Sequence, residues 1–180
     1  MAKRITKVTT KRGDDSSTGI ADGTRVQKSD LLVKDIGELD ELNSWMGLLC
    51  SLVKLNEHKQ YLQSIQNRLF DIGGILTTKS KVPLEEQYLL ILEKKTDNLN
   101  HKLPDLDNFI LPGGSKESSF IHIARTVCRR AERSLIDANG SEKIEQSCLI
   151  YINRLSDFLF VLARKVNLDS GNEELLWKQE

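Results

Sequence analysis

From Leu39 onward, large apolar residues recur every three or four positions, segment after segment. That rhythm leaves little room for anything but helices. Leu39, Leu42, Met46, Leu49 and Val53 form one stripe, and Leu62, Ile65, Leu69, Ile72 and Leu76 repeat it, as the buried face of an amphipathic helix does. After Lys81-Val82-Pro83 a weaker helix is predicted over 84–101, with Tyr88, Leu92 and Leu99 toward the core. Pro83 falls where a first helical turn tolerates proline. The run LPDLDNFILPGGS interrupts the pattern. A fourth helix is expected over 117–139, burying Phe120, Ala124, Val127, Ala131 and Leu135, with Asn139-Gly140 as its stop. Ser141 can cap a fifth, striped by Cys148, Ile152, Leu155, Leu159, Leu162 and Val166. Five antiparallel helices on short connections predict an all-α bundle. Three prolines and 6% aromatic residues suit a bundle better than a β-sandwich. The 180 residues fit one domain. It divides into an aperiodic polar segment (1–30), the bundle (31–168) and a tail (169–180) that looks frayed apart from Leu175, Leu176 and Trp177.

Lys+Arg and Asp+Glu number 26 each, so net charge is zero. A general nucleic-acid binder would carry a basic excess, so any anion site must be local. No apolar run approaches the ~18 residues that span a membrane. The N-terminus lacks the apolar core of a secretory signal, and a mitochondrial presequence would be longer and richer in Arg and Ser; a cytoplasmic protein is expected. Cys50, Cys128 and Cys148 are odd in number and set among apolar residues, which points to reduced core thiols.

The local anion site has an obvious candidate. Arg125, Arg129 and Arg133 fall on one stripe of the fourth helix, four residues apart, with Arg130 beside them in IARTVCRRAERS. Like charges at that spacing repel by roughly 0.2–0.5 kcal/mol per pair. They need protein carboxylates such as Glu132, or an anionic ligand, and arginine's planar fork is well suited to phosphate. Lys11, Gly13, Asp14, Thr18, Gly23 and Lys28 give the N-terminal segment the ingredients of a phosphate-wrapping loop; a disordered tail would have the same composition. Asn153, Arg154 and Asp157 lie in the fifth helix, where polar groups either satisfy one another or reach the arginine helix or a ligand. Glu38, Asp40 and Glu41 are favoured near a helix start by its dipole, and Asp40 could also neutralise an arginine, within a chain or across subunits. Phe109-Ile110-Leu111-Pro112-Gly113-Gly114 either packs on its own core or covers one face of a flat apolar ligand.

Reactive groups are harder to find. His58, His101 and His122 lack the Glu-x-x-His spacing of a di-iron bundle. There is no CxxC, no GxSxG and no GxxxxGK[ST]. No protein metal site is predicted.

Taken in order, these segments resemble the PduO-type ATP:cob(I)alamin adenosyltransferases from about Ile5 to Arg164. The family's T-K-x-G-D-x-G-x-T is matched by Thr10, Lys11, Gly13, Asp14 and Thr18, with Ser16 in place of its second glycine. G-x-x-D-E-L-N-S is matched by Gly37 and Asp40 to Ser44, F-I-L-P-G-G by Phe109 to Gly114, A-R-T-x-x-R-R-A-E-R by Ala124 to Arg133, and N-R-L-S-D-x-L-F by Asn153 to Phe160. Five such motifs in register are specific.

The resemblance implies a five-helix bundle, ferritin-like in architecture, assembled as a homotrimer with active sites between subunits. It implies a nucleotide site of Thr10, Lys11, Arg12, Gly13, Thr18, Gly19, Lys28, Arg129, Arg130, Ala131, Glu132, Arg133 and Asn153, with Mg²⁺ on the ATP phosphates. Asp40 and Arg125 would pair to serve corrinoid handling and catalysis, and Phe109 would occupy the lower face of the corrin. If the family glycine has positive φ, Ser16 costs about 1 kcal/mol there. Cob(I)alamin would itself attack C5′ of ATP and expel triphosphate, so no enzyme nucleophile is needed. A cob(II)alamin reductase and an adenosylcobalamin-dependent enzyme are the implied protein partners. Two other readings keep parts of the pattern: a non-catalytic bundle that binds ATP or a partner and delivers cofactor, and a structural bundle whose arginines only bridge subunits.

Overall fold

The structure, a computed structural model, describes residues 9–52, 56–78, 80–142 and 144–179. A short antiparallel hairpin comes first, β1 (Ser17–Gly19) against β2 (Arg25–Gln27), with Thr18 opposite Val26. Five helices follow: α1 (Leu31–Leu52), α2 (Asn56–Thr78), α3 (Glu86–Asn100), α4 (Lys116–Glu142) and α5 (Gln146–Asp169). α4 is central, packed on α5 and α1, while α2 closes on α1 and α3 on α5.

The predicted stripes are the core. Leu42, Met46, Leu49, Leu62, Ile65, Ile72, Leu92, Leu135, Ile152 and Leu159 are fully buried, and the three cysteines are free and buried. Val53, the last residue of the first stripe, lies outside the described residues. Burial pushes the Cys50 and Cys128 thiols up, and that of Cys148 to about 11. All three remain protonated at neutral pH and none is a thiolate nucleophile.

Three boundaries differ from expectation. Asn139-Gly140 does not stop α4, which runs on to Glu142 with Ser141 in its last turn. Gly140 does not take the positive φ of a helix-ending glycine, and a glycine inside a helix costs only about 1 kcal/mol, which the neighbouring buried Ala138 and Ile144 help to offset. α5 therefore starts without a serine cap, behind Glu145 in an extended conformation. Pro83 precedes α3 instead of opening it: Glu85 is the extended N-cap residue, and the Leu84 amide donates across the molecule to Ser147 Oγ (2.8 Å). The N-terminal hairpin is the third difference. Its three-residue strands hold no alternating large apolar residues, the signal by which strands are read.

Candidate active site

α4 presents the arginine cluster. Glu38 and Glu41, three residues apart on α1, both reach Arg130: Nε donates to Glu38 (2.6 Å) and Nη2 to Glu41. These contacts raise the Arg130 pKa further. The stripe itself is treated differently. Among the described residues, Arg125, Arg129 and Arg133 make no ion pair. Arg129 and Arg133 are exposed. Arg125 is half-buried with its Nε unpartnered and its guanidinium 5.9 Å from the centre of the Phe160 ring. Burial and the neighbouring Arg129 both lower its pKa. The protein thus compensates the off-stripe arginine and leaves three on-stripe charges uncovered.

Glu132 does not neutralise them; it accepts from Asn153 Nδ2 on α5 (2.7 Å). Asp157, one turn further on, has its carboxyl pKa raised by partial desolvation against the helices, with Arg154 opposing. Ala131, the small residue of the motif, is fully buried against the bundle. Asp40 is exposed and about 200° around α1 from Glu38. Within one chain it does not meet Arg125.

The described part of the N-terminal segment, residues 9–30, is a folded loop. Asp15 accepts from the Ser17 amide (3.0 Å) and hydroxyl (2.7 Å), and Arg25 donates to the Arg12 carbonyl (2.5 Å). Lys28 Nζ donates to the Gly13 carbonyl (2.7 Å), while its amide bonds Ser16 O (2.9 Å). A Cβ at Gly13 would lie 3.1 Å from Ser17 O and 3.2 Å from Lys28 Nζ, so this turn has little room for a side chain. Lys11 and Ser16 both have positive φ, 59° and 64°. The condition for the serine penalty is therefore met in this chain. Thr10, Lys11, Arg12, Gly19 and Lys28 are exposed, and Gly13 and Thr18 half-buried. No hydrogen bond or ion pair among the described residues links this loop to the arginine stripe of the same chain.

Phe109 stands on a pinned loop. Its ring is 79% exposed, the most of any large apolar side chain described. Its carbonyl accepts from the Trp177 amide (2.7 Å) and the Leu111 amide donates to Leu175 O (2.7 Å), an isolated antiparallel bridge centred on Ile110 and Leu176. Asn108 Nδ2 adds a bond to Trp177 O (2.8 Å). So Leu175 to Trp177, the exceptions in the predicted tail, are ordered against the loop.

The tail is anchored from α5. Arg164, 4% exposed, holds Glu174 (2.7 and 3.0 Å) and the Pro104 carbonyl (2.8 Å). Asn167 Oδ1 accepts from Ser115 N (2.9 Å), and a Cβ at Gly114 (φ +91°) would lie 1.9 Å from that oxygen. Sequence reasoning missed this clasp, although a charge inside the most regular apolar stripe signals a buried partner. Glu38, Glu41 and Glu93 (α3) as arginine partners carried no comparable signal.

Behind the loop, buried His122 is held neutral. Burial and then Arg125 push its pKa down to about 4, with Glu174 opposing. Its ordinary value is about 6.5. A depressed pKa means the fold favours the neutral ring, so this stabilisation is complete above about pH 6.5 and is lost as pH falls toward 4. Melting temperature should therefore drop across that interval more steeply in the wild type than in His122→Gln; parallel profiles would show that His122 is not the titrating group.

The bundle thus presents unpaired arginines on one helix, a glycine-containing loop closed by Lys28 and Arg25, and an outward aromatic on a braced loop. The cobalamin adenosyltransferase family profile matches residues 8–166, and the chain belongs to that family. It is 43% identical to the cobalamin adenosyltransferase of Cupriavidus metallidurans, over all of this chain and 98% of the relative. It is also 43% identical to the corrinoid adenosyltransferase of Bacillus subtilis, over 92% of this chain and 89% of that one. A variant PduO-type ATP:corrinoid adenosyltransferase from Lactobacillus reuteri, complexed with cobalamin and ATP, superposes with a TM-score of 0.92 at 38% identity, covering 96% of this chain and 100% of its own. Among the described residues no helix is long and apolar enough to cross a membrane.

Proposed function

We propose that this chain transfers the 5′-deoxyadenosyl group of ATP to the cobalt of cob(I)alamin, yielding adenosylcobalamin and triphosphate. The observation that carries the reading is the Arg125–Arg129–Arg133 stripe, three cations without a carboxylate partner among the described residues. It suits a leaving group of several negative charges, whose development in the transition state preorganised guanidinium groups stabilise. The reduced cobalt of the substrate is the nucleophile: it forms the bond to C5′ as the C5′–O bond to triphosphate breaks. The protonated cysteines leave that role to the substrate. Holding C5′ near cobalt supplies much of the remaining acceleration.

Lys11, Arg12, Gly13, Thr18, Gly19 and Lys28 wrap the phosphates from one side, with Thr10 at the start of the loop. Arg129, Arg130, Ala131, Glu132, Arg133 and Asn153 line the other. Among the described residues no hydrogen bond or ion pair joins the loop to the stripe within one chain, which supports a site completed by a second copy in a homotrimer. Asp40 and Arg125 would pair across the same boundary. Mg²⁺ enters on the nucleotide phosphates. Phe109 lies under the corrin and keeps a donor ligand off cobalt. Residues 1–30, 31–168 and 169–180 act as one cytoplasmic domain, supplied by a cob(II)alamin reductase and serving an adenosylcobalamin-dependent enzyme.

Purified protein mixed with ATP, Mg²⁺ and chemically reduced cobalamin should develop the adenosylcobalamin spectrum. If both reactants persist unchanged, the reading fails. Phe109→Ala should leave ATP affinity unaltered and slow product formation on the order of tenfold, the worth of one aromatic contact. An equal loss in both would remove Phe109 from its assigned role.

A further inference from the structure

Three helices share a file of polar contacts that ends inside the arginine motif. Glu93 on α3 accepts from Arg154 Nε (3.0 Å), and Arg154 Nη1 donates to Asn153 Oδ1 (2.8 Å) on α5. Asn153 Nδ2 then donates to Glu132 Oε1 (2.7 Å) on α4. The order is chemically determined. A guanidinium only donates and a carboxylate only accepts, so one orientation of the Asn153 amide satisfies both neighbours. Glu93 in turn fixes the guanidinium that dictates that orientation.

The position of Glu132 gives the file a consequence. It lies three residues beyond Arg129 and one before Arg133, and three apart on a helix is where a carboxylate pairs with an arginine. Yet Glu132 is turned to Asn153 on α5, its charge is felt by Asp157 there and by Cys128 on its own helix, and it makes no ion pair with Arg129. Were Arg154 lost, the amide would keep only one of its two restraints and hold Glu132 less firmly, and the nearest unpaired cations to receive the carboxylate would be those of the stripe.

We propose that Glu93 and Arg154 are positioning residues that hold the Asn153 amide toward Glu132, and so keep Glu132 from neutralising the arginines that bind polyphosphate. The proposal rests on the nucleotide reading above. It gives Glu93 on α3 a role through Arg154, and it separates Arg154, whose partners are Glu93 and Asn153, from the arginines of α4.

The test measures binding of inorganic tripolyphosphate by calorimetry alongside steady-state turnover. Arg154→Met should weaken tripolyphosphate binding and raise KM for ATP about three- to fivefold, the loss expected when one exposed cation gains a protein partner. kcat and KM for the corrinoid should hold. In a Glu132→Gln background the same substitution should change neither quantity, because no carboxylate is left to swing. Wild-type-like binding by Arg154→Met, or a loss that persists undiminished beside Glu132→Gln, overturns the proposal alone. A wild-type protein that ignores tripolyphosphate overturns the nucleotide reading and this proposal with it.

Discussion

Replacing Arg164 with methionine will free the C-terminal strand from the loop that carries Phe109. Arg164 is 4% exposed and bridges three segments: α5, which bears it, the Pro104 carbonyl before the loop, and Glu174 in the tail. Methionine fills similar space but donates nothing, leaving a carboxylate and a carbonyl unsatisfied. Removing one member of a buried pair costs 3–5 kcal/mol; because Glu174 keeps some access to water, about 3 kcal/mol is the appropriate figure. The tail can escape that cost by detaching, so the loss should appear as local opening, with the bundle still folded. Hydrogen exchange at the Leu111 and Trp177 amides, which close the bridge at 2.7 Å each, should accelerate on the order of a hundredfold. Amides within α2 should be unaffected. Unchanged exchange at Leu111 and Trp177 would mean that the loop is braced by something other than this clasp.

The clasp also marks where the chain stopped being legible. The helical core follows from local spacing, because each stripe needs only its own segment to be recognised, and Leu42, Ile72, Leu135 and Leu159 are buried as their spacing requires. The arginine motif and the Phe109 loop could be read the same way, as short runs of unusual composition. What links them could not. Arg130 meets carboxylates 92 and 89 positions away, and Arg154 meets one 61 positions away; nothing in a local window distinguishes those partners from the many other acids. The N-terminal hairpin was invisible for the opposite reason. It is held by Asp15, Arg25 and Lys28 through backbone and side-chain polar contacts, and polar contacts leave no periodic trace. Asn139-Gly140 misled because a residue pair that permits a helix end does not compel one when Ala138 before it and Ile144 beyond it are both buried.

Arg129→Ala should separate a ligand-binding arginine from a structural one, because the two classes respond in opposite directions. An arginine that holds the fold loses a partner when truncated and lowers stability; Arg130→Ala, whatever it also does to the nucleotide it lines, should do so by up to about 1 kcal/mol through its pairs with Glu38 and Glu41. Arg129 makes no ion pair among the described residues and adds to the repulsion that lowers the Arg125 pKa. Its removal relieves like charge, so the melting temperature without ligand should stay level or rise slightly. ATP is another matter. A charge-assisted hydrogen bond is worth 1.5–3 kcal/mol, which puts the loss of nucleotide affinity at roughly ten- to a hundredfold. The stabilisation that saturating ATP confers on the wild type should shrink accordingly. The decisive pattern is weaker binding without a weaker fold. If Arg129→Ala instead melts earlier and binds ATP as before, the stripe is scaffolding and the phosphates must be held elsewhere.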